Sequence, residues 1–134
     1  MRHRVYGKKL NRNKNQRTGL FKSLVQSLFL TGTITTSVSK ASAIKGMVDK
    51  IINQAKSKDT QRLLQSFLNK DLQERLIKEI VPKMSSRNSG YTSLIRLGTR
   101  LGDQTMMVKM SLIGVEKLKP ISKKEVKKVA KIKK

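Results

Sequence analysis

The side chains best suited to bind a ligand in this chain of 134 residues are basic and lie in its first 17 positions. Eight of them carry or can acquire a positive charge: Arg2, His3, Arg4, Lys8, Lys9, Arg12, Lys14 and Arg17. No acidic residue precedes Asp49. Lysine and arginine pair with phosphate, and the planar guanidinium also matches base edges. A segment this polar cannot bury enough apolar surface to fold alone. The pattern therefore favours an extended arm that binds RNA or DNA, for example by entering RNA grooves, over a solvated tail.

The remaining candidate catalytic groups do not assemble into a recognisable site. His3 is the only histidine, and the chain has no cysteine. A metal site needs several ligands, so we interpret His3 as a group that stacks on RNA or hydrogen bonds to it. No glycine-rich phosphate-binding loop occurs, and the carboxylates are spaced like helix caps and surface partners. The sequence predicts no catalytic residue, no metal and no cofactor.

A polar loop supplies a second candidate contact with nucleic acid. Residues 85–90 are rich in serine and end at Gly90, just before Tyr91. Arg87 and Asn88 could bind an RNA backbone, and Tyr91 could stack on a base or sugar. The alternative is that Gly90 only turns the chain while Tyr91 packs in a sheet. The surrounding positive charge favours contact.

Two further arginines are expected near a hairpin. Arg96 falls on the strand face opposite Ile95 and Leu97, and Arg100 lies at the predicted turn. A basic sheet face or hairpin tip could meet phosphate, although an ordinary solvated face would have the same composition. Lys22, on the first predicted helix, completes the set of residues expected to bind RNA.

The overall charge limits the classes of partner. The chain has 31 Lys and Arg against 8 Asp and Glu, a net charge of +23. A compact domain with this charge repels itself, so a polyanion should offset it: nucleic acid or an acidic membrane surface. The longest apolar run, Leu28–Leu30, is far short of the roughly 20 residues that a membrane span needs. The absence of cysteine excludes a disulfide scaffold, and we expect no signal peptide.

Leucine spacing predicts the first helix. Leu20, Leu24 and Leu28 recur every four residues and therefore share one helix face. Asn13 or Asn15 could cap its start, and Gly32 follows its end.

Three more helices are predicted, over residues 41–56, 60–69 and 72–80, the last ended by Pro82. Their inward residues should be Ile44, Val48, Ile51 and Ala55; then Leu63, Leu64, Phe67 and Leu68; then Leu72, Leu76 and Ile80.

Strands are predicted by alternation of apolar and polar residues. Residues 33–38 form the first. Two more follow the loop and are joined by a hairpin over 98–103. On the first of these two strands, one face carries Tyr91, Ser93, Ile95 and Leu97. On the second, one face carries Met106, Val108, Met110 and Leu112. Met106, Met107 and Met110 are expected in the core.

The order helix, strand, three helices, two strands predicts an α+β fold, with a small three-stranded sheet and helices packed on one face. We expect three parts: a basic RNA-binding arm at 1–17, a globular domain at 18–113, and a Lys-rich flexible tail at 114–134.

Several motifs together resemble the bacterial large-subunit ribosomal protein L-seventeen family. The opening Met1–Arg4 and then Gly7–Leu10 are similar to the family's start. Further similarities are Ser27–Phe29, Ile34–Thr36 and Lys40-Ala41. The strongest match is Arg87–Thr92, running on through Ile95–Gly98, Arg100 and Gly102-Asp103. The order and spacing are those of the family over about residues 1–113.

The resemblance implies a structural constituent of the large ribosomal subunit in the cytoplasm, placed on the solvent side near the rim of the peptide exit. It implies binding to large-subunit ribosomal RNA, neighbouring ribosomal proteins as partners, and no catalysis, cofactor, membrane or small-molecule substrate. Arg2, His3, Arg4, Lys8 and Lys9 match the family's RNA-contacting arm; Arg87, Asn88 and Tyr91 match its loop.

Other functions compete with this interpretation. A DNA-binding architectural protein of the nucleoid type shares the charge, but no helix-turn-helix or dimeric zipper pattern occurs. An enzyme acting on nucleic acid would need a general base, metal cluster or cofactor loop, and the sequence shows none of these. A membrane-surface peptide would not need a folded domain before its basic tail.

Overall fold

The computed structural model describes residues 7–115 and residue 118. Arg2, His3 and Arg4, and almost all of the predicted tail, lie outside the described residues. The described chain forms an α+β fold, as predicted, with a three-stranded antiparallel sheet and helical segments between its first and second strands. Its elements are α1 (Lys14–Thr31), β1 (Thr33–Ser37), α2 (Val38–Lys56), a 3₁₀ helix (Lys58–Ser66), α3 (Lys70–Arg75), a π-helical turn (Leu76–Ile80), a short 3₁₀ turn (Pro82–Met84), β2 (Thr92–Thr99) and β3 (Met106–Leu112).

Helix α1 begins and ends where its capping residues predict. Asn13 is the N-cap, and its backbone N–H donates to Gln16 Oε1 at 3.2 Å. Gly32 ends the helix with a left-handed φ of 80° and donates its N–H to the Leu28 carbonyl at 2.8 Å. Glycine adopts this conformation without the steric cost that a Cβ would add. Because α1 starts at Lys14, Lys14 and Arg17 belong to a helix and not to an extended arm.

Helix α2 lies at the centre of the fold. Its predicted apolar stripe, Ile44, Val48, Ile51 and Ala55, is buried, and Ile52 is buried with it. Helix α2 contacts α1, all three strands, the 3₁₀ helix and the π-helical turn. A helix that meets so many elements can position side chains for several of them at once.

The predicted third helix is a 3₁₀ helix. Leu64 and Leu68 are buried as expected, but Leu63 is 48% exposed, so its predicted inward position is wrong. A 3₁₀ helix has three residues per turn. Adjacent residues therefore point about 120° apart, and in this segment Leu64 faces the core while Leu63 faces solvent.

The fourth helical segment changes its winding halfway. Leu72, Leu76 and Ile80 are buried, as predicted. Residues 76–80 are π-helical, and Val81 donates its N–H to the Leu76 carbonyl at 2.9 Å. Pro82 begins the short 3₁₀ turn that follows, where its missing N–H is not needed.

The sheet has the order β1-β3-β2, so β3 is central. On β3, Val108, Met110 and Leu112 are buried as predicted. Met106 is 36% exposed, and Met107 is partly exposed, so of the three expected core methionines only Met110 is fully buried. Met106 lies next to the hairpin turn, where the helices no longer cover the sheet.

The predicted apolar face of β2 is wrong beyond its first residues. Ile95 is 54% and Leu97 55% exposed. The register pairs Leu94 with buried Met110 and Ile95 with exposed Lys109, so Ile95 lies on the open face of the sheet. The register then shifts between Arg96 and Gly98, which leaves Leu97 in a bulge.

One buried hydroxyl in the sheet has no hydrogen-bond partner among the described residues. It is Thr92 Oγ1, at the start of β2, in a residue that is 7% exposed. An unpaired buried polar group costs about 1–3 kcal/mol.

We therefore expect Thr92→Val to raise the free energy of unfolding by about 1 kcal/mol. Valine also suits a strand. Urea unfolding would measure the change, with Thr99→Val as control, because Thr99 is exposed on the same strand. A destabilised Thr92→Val protein would mean that the hydroxyl has a partner when the protein is folded.

Candidate nucleic-acid interface

The end of the basic arm turns sharply just before α1. Leu10 and Asn11 have φ angles of 54° and 50°, in the left-handed region. Arg17, one turn inside α1, donates from Nη1 to the carbonyls of Lys9 and Arg12, both at 3.3 Å. Arg12 Nη1 donates to the Leu10 carbonyl at 2.9 Å. These bonds hold the turn in an otherwise unfavourable conformation.

The turn places basic side chains around one cleft. Lys8 and Lys9 from the arm, Arg17 from α1 and Lys50 from α2 line a cleft of about 760 Å³. Lys8, Lys9 and Lys50 are exposed, and Arg17 is half-buried. No Asp or Glu of the described chain lines this cleft. Lys50 was not among the residues predicted to bind RNA, since in the sequence it is one of several lysines on a helix surface.

Two other predicted residues lie on α1 outside this cleft. Lys14 is exposed in the first turn, where a cation opposes the positive end of the helix dipole. Lys22 is half-buried, with its Nζ 5.6 Å from the centre of the Phe67 ring. Both could still reach phosphate, because long lysine side chains keep their ammonium groups near water.

The loop before β2 is tied to α2 through Tyr91. The Tyr91 ring is fully buried. Its hydroxyl lies 2.5 Å from Asn53 Oδ1 and 2.8 Å from the Arg87 carbonyl, and it accepts a hydrogen bond from Lys56 Nζ at 2.9 Å. Lys56 Nζ also lies 4.8 Å from the centre of the ring. A base therefore cannot stack on Tyr91, so the predicted stacking contact is wrong. Tyr91 instead packs inside the fold, which was the alternative interpretation.

Further bonds from α2 fix the backbone of the same loop. Asp49 accepts hydrogen bonds from the N–H groups of Gly90 and Tyr91 at 3.3 and 3.2 Å. Asn53 Nδ2 donates to the Asn88 carbonyl at 3.1 Å, and Lys56 Nζ donates to the Arg87 carbonyl. The side chains of Arg87 and Asn88 remain at the surface. The loop is therefore a rigid support for two exposed polar side chains.

Sequence reasoning missed the three α2 residues that hold this loop. Asp49, Asn53 and Lys56 are spaced four and three residues apart, the spacing of one helix face. That spacing was readable, but nothing local indicated that the face meets a loop about 40 residues later.

The hairpin arginines have different surroundings. Arg96 is exposed. Arg100, at the tip, donates from Nε to Asp103 Oδ1 at 3.1 Å and makes a second bond from Nη2 to Oδ2. The hydrogen bonds from Arg100, with others from Thr105, hold the pKa of Asp103 well below its usual range, and the same carboxylate raises the pKa of Arg100. Arg100 is therefore already paired with a carboxylate that a phosphate would have to displace.

Removing that carboxylate should make Arg100 available to a phosphate. We expect Asp103→Asn to steepen the salt dependence of RNA binding by about one unit in the slope of log K against log salt. Filter-binding titrations over a range of KCl concentrations would measure this. Glu74→Gln is the matched control: it removes the same charge and releases Lys78, in the π-helical turn, from its exposed ion pair with Glu74 of α3. Equal slopes in the two variants would argue against a contact at the hairpin tip.

Within residues 7–115 and 118, no group of three or more His, Cys, Asp or Glu side chains comes close enough to hold a metal ion. The helices of this region are all too short or too polar to cross a bilayer.

Comparison with known proteins agrees with the resemblance in the sequence. The family model for ribosomal protein L17 matches residues 20–113. A large ribosomal subunit protein bL17 from Thermodesulfovibrio yellowstonii is 36% identical over 131 residues, covering 96% of this chain and 98% of its own. The protein of the same name from Desulforapulum autotrophicum is 37% identical over 116 residues (84% and 97%), and that from Petrotoga mobilis is 35% identical over 127 residues (87% and 99%). The chain therefore belongs to the ribosomal protein L17 family.

Proposed function

We propose that this protein is a structural constituent of the large ribosomal subunit, where it binds and stabilises folded ribosomal RNA. The observation that carries the proposal is the clustering of three exposed lysines and the half-buried Arg17, from the arm, α1 and α2, around a cleft without acidic side chains. The names of its relatives, large ribosomal subunit proteins, support the same role. A net charge of +23 needs a polyanionic partner, and ribosomal RNA is one.

The arm and the start of α1 supply the main electrostatic contact. Lys8, Lys9, Arg12, Lys14 and Arg17 neutralise phosphates, and Arg2, His3 and Arg4 extend that contact toward the N-terminus. The deep groove of A-form RNA is closed to side chains, so paired regions are recognised by shape, phosphate and 2′-hydroxyl groups. Most of the affinity then comes from counterion release and depends strongly on salt.

The loop and the hairpin add smaller contacts. Arg87 and Asn88 reach RNA from a backbone that α2 holds in place, which lowers the entropy lost on binding. Lys22, Arg96 and Arg100 complete the surface, with Arg100 exchanging Asp103 for a phosphate. Tyr91 acts from inside the protein by positioning Arg87.

We propose neighbouring ribosomal proteins as the other partners, and the ribosome as the protein's place in the cell. The β2–β3 hairpin exposes five apolar side chains on its two faces and at its tip, which supports contact with protein as well as RNA: Leu94, Ile95, Leu97, Leu101 and Met106.

Sucrose-gradient fractionation of the source cells tests the function directly. In moderate salt the protein should sediment with the large subunit, and it should be released at high salt because its contacts are mainly electrostatic. Protein that remains at the top of the gradient would contradict the proposal. Co-sedimentation with chromosomal DNA would favour the nucleoid-type alternative.

A further inference from the structure

We propose that the cleft between the arm, α1 and α2 is a pocket for a single unpaired nucleotide that leaves the RNA helix. The inference rests on the proposed function, and it adds the chemical form of one ligand: a nucleobase held inside the cleft with its phosphate at the rim. A surface that only neutralises a duplex needs no cavity, whereas this cleft combines apolar lining residues with basic ones.

One side of the cleft is held in place by hydrogen bonds. The arm residues Gly7–Lys9 form one side, and they are held there because Arg17 donates hydrogen bonds to the carbonyls of Lys9 and Arg12. The left-handed φ angles of Leu10 and Asn11 make the turn that brings the arm over α1 and α2. Backbone strain kept at a ligand-sized cleft is typical of binding sites.

The floor of the cleft is apolar and contains an aromatic ring. Phe21 of α1 and Ala43 and Met47 of α2 are half-buried and line the cleft. An aromatic ring suits stacking with a base of any sequence, because every base has a π face. Methionine adapts to irregular flat ligands. RNA-binding proteins commonly bind unstacked bases of loops and bulges against aromatic side chains.

Gly46, in the middle of α2, lies at the cleft without a side chain. A glycine there destabilises the helix relative to alanine, yet the fold does not require it. It has no positive φ, and a Cβ built on it would meet no atom within 4 Å. Since Gly46 lines the cleft, its missing side chain keeps the cleft open for a ligand.

The size and charge of the cleft suit a nucleotide. The volume of about 760 Å³ lies within the range of roughly 300–1,000 Å³ that small-molecule sites occupy. Lys8, Lys9, Arg17 and Lys50 around the apolar floor can pair with the phosphates on either side of an extruded base. Extrusion costs least for a base that is already unpaired, so a bulged nucleotide is the natural ligand.

The experiment compares two RNA hairpins that differ at one position. One carries a single bulged 2-aminopurine, whose fluorescence reports its stacking, and the other is fully paired. We expect the full-length protein to bind the bulged hairpin at least tenfold more tightly and to change the 2-aminopurine signal on binding. Gly46→Leu, which fills the cleft, should remove the preference while binding to the paired hairpin remains.

Gly19→Leu is the matched control. Gly19 is also inside a helix, is exposed and has no atom within 4 Å of a built Cβ, but it does not line the cleft. This variant should keep the preference for the bulge. Both leucine variants should melt no lower than the wild-type protein, because leucine favours helix more than glycine does.

The other outcomes separate the pocket from the function. Equal, salt-dependent binding of both hairpins by the wild-type protein would overturn the pocket and leave RNA binding in place. Uridine or adenosine monophosphate that displaces the bulged hairpin at equal concentration would also overturn it, by showing a site for free nucleotides. Failure to bind either hairpin would overturn the pocket and count against the proposed function as well.

Discussion

Replacing Arg2, Arg4, Lys8, Lys9 and Arg12 together with alanine will flatten the salt dependence of RNA binding. Each phosphate contact contributes about −0.9 to the slope of log K against log salt on duplex DNA, and less on single strands. The loss of five contacts should therefore reduce the slope by up to about four units. Filter-binding titrations from low to high KCl measure the slope directly. We expect no other substitution in this protein to change RNA binding as much.

The control for this variant must lose the same charge elsewhere. Five exposed cations lie on the helical segments that follow α2: Lys58, Arg62, Lys70, Lys78 and Lys83. Replacing them with alanine lowers the net charge equally but leaves the arm and the cleft intact. We expect a much smaller change in slope. The same reduction in both variants would mean that binding depends on total charge, and the arm would lose its assigned role.

Replacing Tyr91 with alanine should have the largest effect on stability. The ring is fully buried beside α2, and its hydroxyl joins Asn53, Lys56 and the Arg87 carbonyl. Truncating a buried aromatic residue costs about 3–5 kcal/mol. The variant should also release the Arg87 loop, because its backbone loses an anchor. Urea unfolding measures the first effect, and proteolysis near Arg87 reports the second.

Tyr91→Phe separates the ring from its hydroxyl. It keeps the packing but removes the hydrogen bonds that the hydroxyl donates to Asn53 Oδ1 and the Arg87 carbonyl, at a cost of about 1–3 kcal/mol. We expect its unfolding free energy to fall between those of the wild-type and alanine proteins. An alanine variant as stable as the wild type would show that the ring is not buried, and a stacking role on RNA would again be open.

Several parts of the fold follow from local sequence. The start and end of α1 are set by Asn13 and Gly32, whose preferences for cap positions depend on their own backbone and neighbours. The buried stripe of α2 follows from the spacing of Ile44, Val48 and Ile51, because a helix places such residues on one face. These features need no knowledge of distant contacts.

Other parts of the fold were mispredicted because the spacing of apolar residues decides neither the type of helix nor the pairing of strands. Leu63 is exposed because the third helical segment winds as a 3₁₀ helix. Ile95 is exposed because the pairing of β2 with β3 and the bulge at Leu97 decide which face of the strand is covered. Alternation along a strand defines two faces but does not say which one meets the helices.

Composition and residue order alone predicted a polyanionic partner and indicated the family, through a net charge of +23, a basic arm without acidic residues, and the ordered motifs from Arg87 to Asp103. These are properties of composition and order, so no coordinates are needed to read them. The burial of Tyr91, and the cleft that Lys50 and Gly46 share with the arm, become apparent in the folded chain alone. The physical reason is distance along the chain: Asp49 and Tyr91, or Lys9 and Lys50, meet only when packing of the hydrophobic core brings their elements together.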